Sequence, residues 1–253
     1  MMKQYIKNHK RLCNIAKSCR RITYNTLFSF QQKRITQQYL ESNVVLKLQI
    51  GSGCNVLPDW LNTDRDTSLG ADVVYMNATK PLPFESNLFS YVYSEHFIEH
   101  IEYTQLFLLL QECYRVLKPN GKIRLATPDI EFLIALHSKD KTDTQKQFIE
   151  WSVNNFVATK DYFDTVVINN YMRAWGHKFI YDFLTLKILL ERAGFTNIVK
   201  CNINESNDVN LCNIESHGKE IGEEFNRLES LVVEAIKEEP ISINSFLEKN
   251  KGE

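Results

Sequence analysis

Four stretches of this 253-residue chain gather side chains able to hold or transform a small molecule. The first is Leu48-Gln49-Ile50-Gly51-Ser52-Gly53-Cys54-Asn55, an apolar run that ends on two closely spaced glycines. Such glycines let a backbone bend sharply and approach a ligand closely, with Gln49 and Ser52 as neighbouring polar groups. Thirteen residues after Gly51 stands Asp64, with Arg65 beside it. An acid at the end of a strand can accept both hydroxyls of a ribose. Asn77 and Ala78 then offer an amide side chain and backbone N–H groups suited to an adenine edge. The fourth stretch, Ser94-Glu95-His96-Phe97-Ile98-Glu99-His100, concentrates titratable groups. A dinucleotide site is disfavoured, because the third glycine of its G-x-G-x-x-G fingerprint would fall at Val56.

His96-x-x-Glu99-His100 is also a zinc-peptidase spacing. On a helix the two imidazoles would share a face and Glu99 could polarise a water. Catalytic zinc normally takes a third protein ligand, and none declares itself downstream, so no metal is expected. The favoured reading of His100 is a hydrogen-bonded structural histidine. For general-base work the candidates are His177 in Trp175-Gly176-His177, Asp129 in Thr127-Pro128-Asp129, and His100. Asp129 could equally cap the helix that follows it.

The elements that must position these groups alternate regularly. Val44 to Ile50 reads as a buried strand whose glycine turn leads into a helix. Trp60–Thr63, Asp72–Tyr75, Phe89–Tyr93 and Lys122–Thr127 read as further strands, with Phe195–Cys201 and Asp208–Ile214 as the last two. Thr104–Leu117 carries a broad apolar face and stops at Lys118-Pro119-Asn120-Gly121; a second helix runs from an Asp182 cap to Ala193, with Gly194 as its stop. The pattern implies an α/β fold with a mostly parallel sheet covered by helices on both faces. Ligands in such folds sit beyond the carboxyl ends of the strands, which selects the tips at 51–55, 64–66, 77–78, 94–100 and 127–129. Residues 130–180 interrupt the alternation with an aromatic-rich helical insertion, expected to be a substrate lid or a packed accessory helix pair.

Apolar residues at 43% and charged residues at 24% mark an ordinary globular chain rather than a disordered one. No run approaches a membrane span, and the six cysteines show no CxxC pairing, so a cytoplasmic protein with reduced thiols is expected. Residues 1–43 hold nine Lys or Arg against Glu41 alone, and residues 203–253 hold twelve acids against five bases. The basic arm permits contact with phosphate, a membrane surface or an anionic partner; pairing with the acidic tail is the plainer reading. A short arm without a broader basic stripe gives little support for nucleic acid.

The phrases "LQIGSG", "WLNTDRD", "KPLPFESNLFSYVYSEHFIEH", "ECYRVLKPNGKIRLATPD" and "LKILLERAGF" resemble, in order and spacing, the class I S-adenosylmethionine-dependent methyltransferases. Within them they look like the small-domain type often found beside polysaccharide biosynthesis. The segment 214–235, "IESHGKEIGEEFNRLESLVVEA", resembles that subgroup's tail. The resemblance implies a Rossmann-like fold with a seven-stranded sheet. It divides the chain into a basic helical extension (1–43), a methyltransferase domain (44–235, with the 130–180 lid) and an acidic tail (236–253). It implies S-adenosylmethionine as cofactor, with Gln49, Gly51, Ser52 and Gly53 at its methionine part and Asp64 and Arg65 at the ribose. Asn77 and Ala78 would frame the adenine, and Ser94, Glu95 and His96 would close over the sulfonium. Gln49 stands where the family usually has an acid, Asn55 where it has a third glycine, and Asn77 and Ser90 where it has aspartates. The expected function is O-methylation of a glycan or small metabolite. The alternatives are a non-catalytic cofactor-binding or scaffold protein, and a zinc hydrolase using His96, Glu99 and His100.

Overall fold

A computed structural model describes residues 31–70, 72–157 and 159–239. The chain divides into two compact units, residues 1–44 and 45–253. In the first, residues 31–42 are helical (α1). Most of the basic arm, and all of the tail beyond residue 239, lie outside the described residues. No helix among the described residues is long and apolar enough to cross a membrane.

The second unit is built on seven strands: β1 (Lys47–Ile50), β2 (Leu61–Asp64), β3 (Val74–Tyr75), β4 (Phe89–Glu95), β5 (Leu117–Pro128), β6 (Thr196–Cys201) and β7 (Ser230–Ile236). They form one sheet in the order β3-β2-β1-β4-β5-β7-β6. The first five pair in parallel, while β7 runs antiparallel to both β5 and β6. The winding reverses between β1 and β4, and that reversal opens a crevice at their carboxyl ends. Leu48 and Ile50 of β1, Val92 of β4 and Ile123 of β5 are all but fully buried, as strands covered on both faces require.

The helices follow from capping and apolar spacing. α2 (Tyr103–Val116) opens with a reciprocal Glu102–Gln105 capping box and buries Leu106, Leu109, Leu110, Cys113 and Val116 on one face. α6 (Phe183–Ala193) is capped by Asp182, whose carboxylate accepts from the Thr185 N–H; Gly194, at φ 105°, ends it. The insertion forms α3 (Ile130–Ala135), α4 (Asp143–Phe156) and α5 (Asp164–Arg173). These helices share their own core of Phe132, Leu133, Phe148, Val153, Val167 and Tyr171. Two short helices, α7 (Gly218–Ile221) and α8 (Glu223–Glu229), precede β7.

Two expectations need correction. The glycine turn after β1 does not enter a helix; residues 51–60 run as a loop to β2. Gln49 Nε2 donates to the Asn55 carbonyl, and Asn62 bonds the backbone of Leu57 and Trp60, so side chains rather than helical turns satisfy this loop. Asp208–Ile214 is not a strand. It forms a 3-10 turn at Val209–Leu211, because Asp208 caps the Asn210 N–H and accepts from Tyr91 Oη. The last strand is β7, within a stretch read as tail: Leu231, Val232, Val233 and Ala235 are buried because it lies between two other strands.

At the middle of the sheet Arg124 of β5 is fully buried. Its guanidinium donates to Glu215 and Glu234 and to the carbonyls of Glu205 and Asn202. Removing one member of a buried ion group strands the other charges, at a typical cost of about 3–5 kcal/mol. Arg124→Met is therefore expected to lose about that much stability, read as a lower urea midpoint. Arg124→Met/Glu215→Leu/Glu234→Leu should recover most of it, and a single variant as stable as the parent would contradict the account.

Candidate functional site

The carboxyl ends of β1 and β4 open into a cavity of about 510 Å³. Its floor is the 51–55 loop with Glu95, His96, Glu99 and His100. Its walls are Trp151, Asn155 and Phe156 of α4, Tyr171 of α5, then Trp175 and His177. The remaining side is closed by His217, Glu220, Ile221 and Glu229.

The two glycines of the loop serve different ends. Gly51 has φ 69°, and a Cβ placed there would meet the Phe97 ring at 2.6 Å. Gly53 has φ 53°, and a Cβ there would meet nothing within 4 Å, so open space lies above it. The Gly51 and Ser52 N–H groups both donate to the Thr63 carbonyl, which fixes the loop to β2. Asp64 holds the same loop, because its Oδ2 accepts from the Gly53 N–H at 3.0 Å while Oδ1 accepts from Asp66.

The other residues singled out from the sequence separate into two groups. Gly51, Ser52, Gly53, Glu95, His96, His100 and His177 line the cavity. Asp64, Arg65, Asn77 and Ala78 lie at the ends of β2 and β3 and do not line it. Asn77 Oδ1 accepts from the Thr79 N–H and hydroxyl, holding its own turn. Gln49 and Ser94 are buried beneath the floor; Ser94 Oγ donates to the Ile50 carbonyl. Asp129 also stays outside the cavity. It caps α3 through the Glu131 N–H and pairs with Lys200 Nζ at 3.1 Å.

Glu95 is an anchor. Its carboxylate accepts from the Ser216 N–H and hydroxyl and from the His217 N–H, all at 2.8–3.1 Å. This draws His217 over the end of β4, where its ring stacks on His96 with centroids 3.9 Å apart. His96 itself sits at φ 46°, a backbone region a non-glycine residue rarely adopts. The His96–His100 segment is a loop and 3-10 turn (Ile98–His100) rather than the helix that the zinc-peptidase spacing requires. His96 Nδ1 stands 3.3 Å from Glu99 Oε1, and Thr127 Oγ1 donates to Glu99 Oε2. Burial opposes a charge on His96, but the Glu99 hydrogen bond and the charges of Glu229, Glu99 and Glu95 outweigh it and push its pKa up to about 9. Burial, then the His96 charge, pushes His217 down to about 3.

His177 packs edge-on to His100, with ring centroids 4.9 Å apart. Its Nδ1 lies 2.6 Å from the Tyr171 carbonyl. A carbonyl only accepts, so Nδ1 carries the proton and Nε2 is left as a base. Burial holds the His177 pKa below its ordinary value, which keeps that base neutral near pH 7.

The sequence reading did not select His217, Glu220 or Glu229. The signal was present in "IESHGKEIGEEFNRLESLVVEA", whose His217 caps, and whose Glu220 and Glu229 lie on, short helices that no periodicity announces.

A parallel sheet wound from a reversal at β1/β4 and completed by an antiparallel β7 is the Rossmann-like class I methyltransferase fold. Consistent with it, residues 50–125 match the family model described as "Methyltransferase domain". No curated protein matches the chain. Among solved structures, a SAM-dependent methyltransferase from Archaeoglobus fulgidus is 19% identical over 83% of this chain and 94% of its own, with a TM-score of 0.45. One from Mesorhizobium loti is 15% identical over 76% and 90%, with a TM-score of 0.48. Phosphoethanolamine N-methyltransferase 2 of Haemonchus contortus, solved with S-adenosylhomocysteine, is 16% identical over 77% of this chain, with a TM-score of 0.42. The match spans 49% of that enzyme, about half its length.

The Gly51–Phe97 contact predicts a specific coupling. Gly51→Ala should cost about 1–3 kcal/mol from the positive φ, plus the clash with Phe97. In Gly51→Ala/Phe97→Gly every clashing Phe97 atom is removed, its Cβ at 2.7 Å included, so the double variant should lose less stability than the sum of the singles. Strict additivity in a thermal-unfolding cycle would refute the contact.

Proposed function

We propose that this chain is an S-adenosylmethionine-dependent methyltransferase that transfers a methyl group to a hydroxyl of a glycan or small metabolite. The observation that carries the reading is the row of strand ends Asn77, Asp64, Gly51–Gly53 and Glu95–His96, in the sheet order β3-β2-β1-β4. Neighbouring strands stand about 4.8 Å apart, so the row covers about 14 Å, long enough for an adenosyl group and its amino-acid tail.

The open space above Gly53 fits such a group, since any side chain there would fill it. Asn77 and Ala78 would hold the adenine, Asp64 the ribose hydroxyls, and the Gly51–Gly53 loop the amino-acid end. Asp64 spends one lone pair of Oδ2 on the Gly53 amide and one of Oδ1 on Asp66, which leaves acceptor capacity on both oxygens. When bound, the cofactor supplies a methyl on a positively charged sulfur.

The cavity beyond the floor receives the acceptor. Trp151, Phe156, Tyr171 and Trp175 give it aromatic walls suited to the faces of a sugar or another ring. α4 and α5 therefore serve as the substrate lid, and they exclude water from the reacting atoms. His177, through Nε2, takes the proton from the acceptor hydroxyl as the new bond forms. His100 packs against it and limits its rotation.

Calorimetric titration with S-adenosylhomocysteine tests the cofactor assignment, with NAD as the control. One equivalent should bind, NAD should not, and Asp64→Ala should weaken binding at least about tenfold, or about 1.4 kcal/mol. Absence of binding, or equal binding by Asp64→Ala, sinks the reading. With an acceptor found in a glycan panel, His177→Ala should lower kcat roughly 100- to 10,000-fold while leaving cofactor binding intact.

A further inference from the structure

We propose that His96, His217 and Glu229 bind one divalent transition-metal ion of the zinc type at the side of the cavity. The three side chains come from distant points of the chain: the end of β4, the segment that Glu95 anchors, and the last residue of α8. Their ligand atoms all lie within 4.8 Å of one another. Glu229 Oε1 stands 3.6 Å from His96 Nε2 and 3.5 Å from His217 Nε2. A tetrahedral ion with bonds of about 2.1 Å spaces its ligand atoms about 3.4 Å apart, so the geometry already approaches that of a coordination sphere.

The hydrogen-bond inventory points the same way. Glu229 is only 1% exposed, and its Oε2 has no hydrogen-bond partner among the described residues. The same holds for His96 Nε2, the nitrogen that faces Glu229. Buried polar atoms without partners are uncommon and costly; a cation beside Glu229 Oε1 would satisfy His96 Nε2, and Oε2 as well where the carboxylate chelates through both oxygens. Two imidazoles and one carboxylate are a donor set for zinc, iron(II) or cobalt(II) rather than for calcium or magnesium, which prefer all-oxygen sites.

The surroundings match a metal site as well. Glu99 Oε1 lies 3.3 Å from His96 Nδ1, and Glu220 Oε2 lies 3.8 Å from His217 Nδ1. The His96 imidazole thus has a buried carboxylate beside its far nitrogen, which leaves Nε2 facing Glu229, while Glu220 stands beyond hydrogen-bond distance of His217. Glu99 is held in turn by Thr127 Oγ1 at 3.0 Å. With three protein ligands, a fourth position is left open to the cavity, the arrangement of catalytic rather than structural zinc. A hydroxyl entering the cavity can take that position. Only His96 is shared with the strand-end row of the cofactor reading, while His217 and Glu229 lie outside it, so metal binding measured without cofactor stands or falls separately.

The test uses the full chain, stripped with a chelator and titrated with Zn²⁺ and separately with Co²⁺. One equivalent of each should bind, and Co²⁺ should give the intense visible bands of a four-coordinate site. His217→Ala and Glu229→Gln should weaken Zn²⁺ binding at least 100-fold, while His137→Ala on the surface leaves it unchanged. Glu99→Gln, a positioning change, should weaken binding 10- to 100-fold but keep the Co²⁺ band positions. Far-UV circular dichroism checks that each variant is folded. If one fails, the Co²⁺ spectrum of the parent still decides the coordination number. Absence of stoichiometric binding overturns the proposal, as does a six-coordinate Co²⁺ spectrum. So would unchanged affinity in folded His217→Ala and Glu229→Gln. Loss of binding in His177→Ala but not in His217→Ala would place the metal on Glu99, His100 and His177 and refute this assignment.

Discussion

The geometry of the cavity depends on how residues 215–217 are fastened to the middle of the sheet. Glu95, at the last position of β4, receives three donor groups from Ser216 and His217. One residue earlier, Glu215 is bound by the buried Arg124 guanidinium of the adjacent strand. Neither carboxylate has an inexpensive alternative, because a buried charge must be matched where it lies. The segment can therefore take only one register against β4 and β5. That register puts His217 over His96 and starts the two short helices that bring Glu229 to the same spot.

Two kinds of support hold the site. The floor is backbone: paired strands and a glycine loop bonded to Thr63. The walls are side chains from α4 and α5, which have their own apolar core around Phe148. A rigid floor and a separately packed wall suit a site that must keep one ligand fixed while admitting another. The ionisable groups collect where floor and wall meet, in the least solvated part, where their mutual effects on protonation are largest.

The parts of this arrangement legible in the sequence were those with a strong local pattern. α2 and α6 could be read nearly to the residue from their caps and apolar spacing, and the β1 and β4 tips from apolar runs that end on glycines or acids. β7 was missed because its apolar run is embedded in a charged stretch, and because an antiparallel partner between β5 and β6 leaves no local mark. The helix expected after Gly53 failed for a related reason, since Asn62 and Gln49 bond the loop from a distance that spacing does not show. The cavity histidines divided along the same line. His96 and His100 stand in a phrase ending a strand, and His177 beside a glycine, whereas His217 and Glu229 gain a role at the site only through a fold that returns them to β4.

The position of β7 has a consequence for how the molecule is completed. Among the described residues β6 pairs only with β7, and β5 pairs on that side only with β7. Until residues 230–236 are inserted, β6 is a strand without a neighbour and the far edge of β5 is bare. Glu229 directly precedes that strand, and the segment bearing His217 is ordered by contacts to β4 and β5. Insertion of β7 and the assembly of the ionisable cluster thus depend on one pairing, β5 with β7, the most distant in sequence among the described strand pairs. A chain with only the first five strands in place would already possess the tips of β1 to β4 while lacking this cluster.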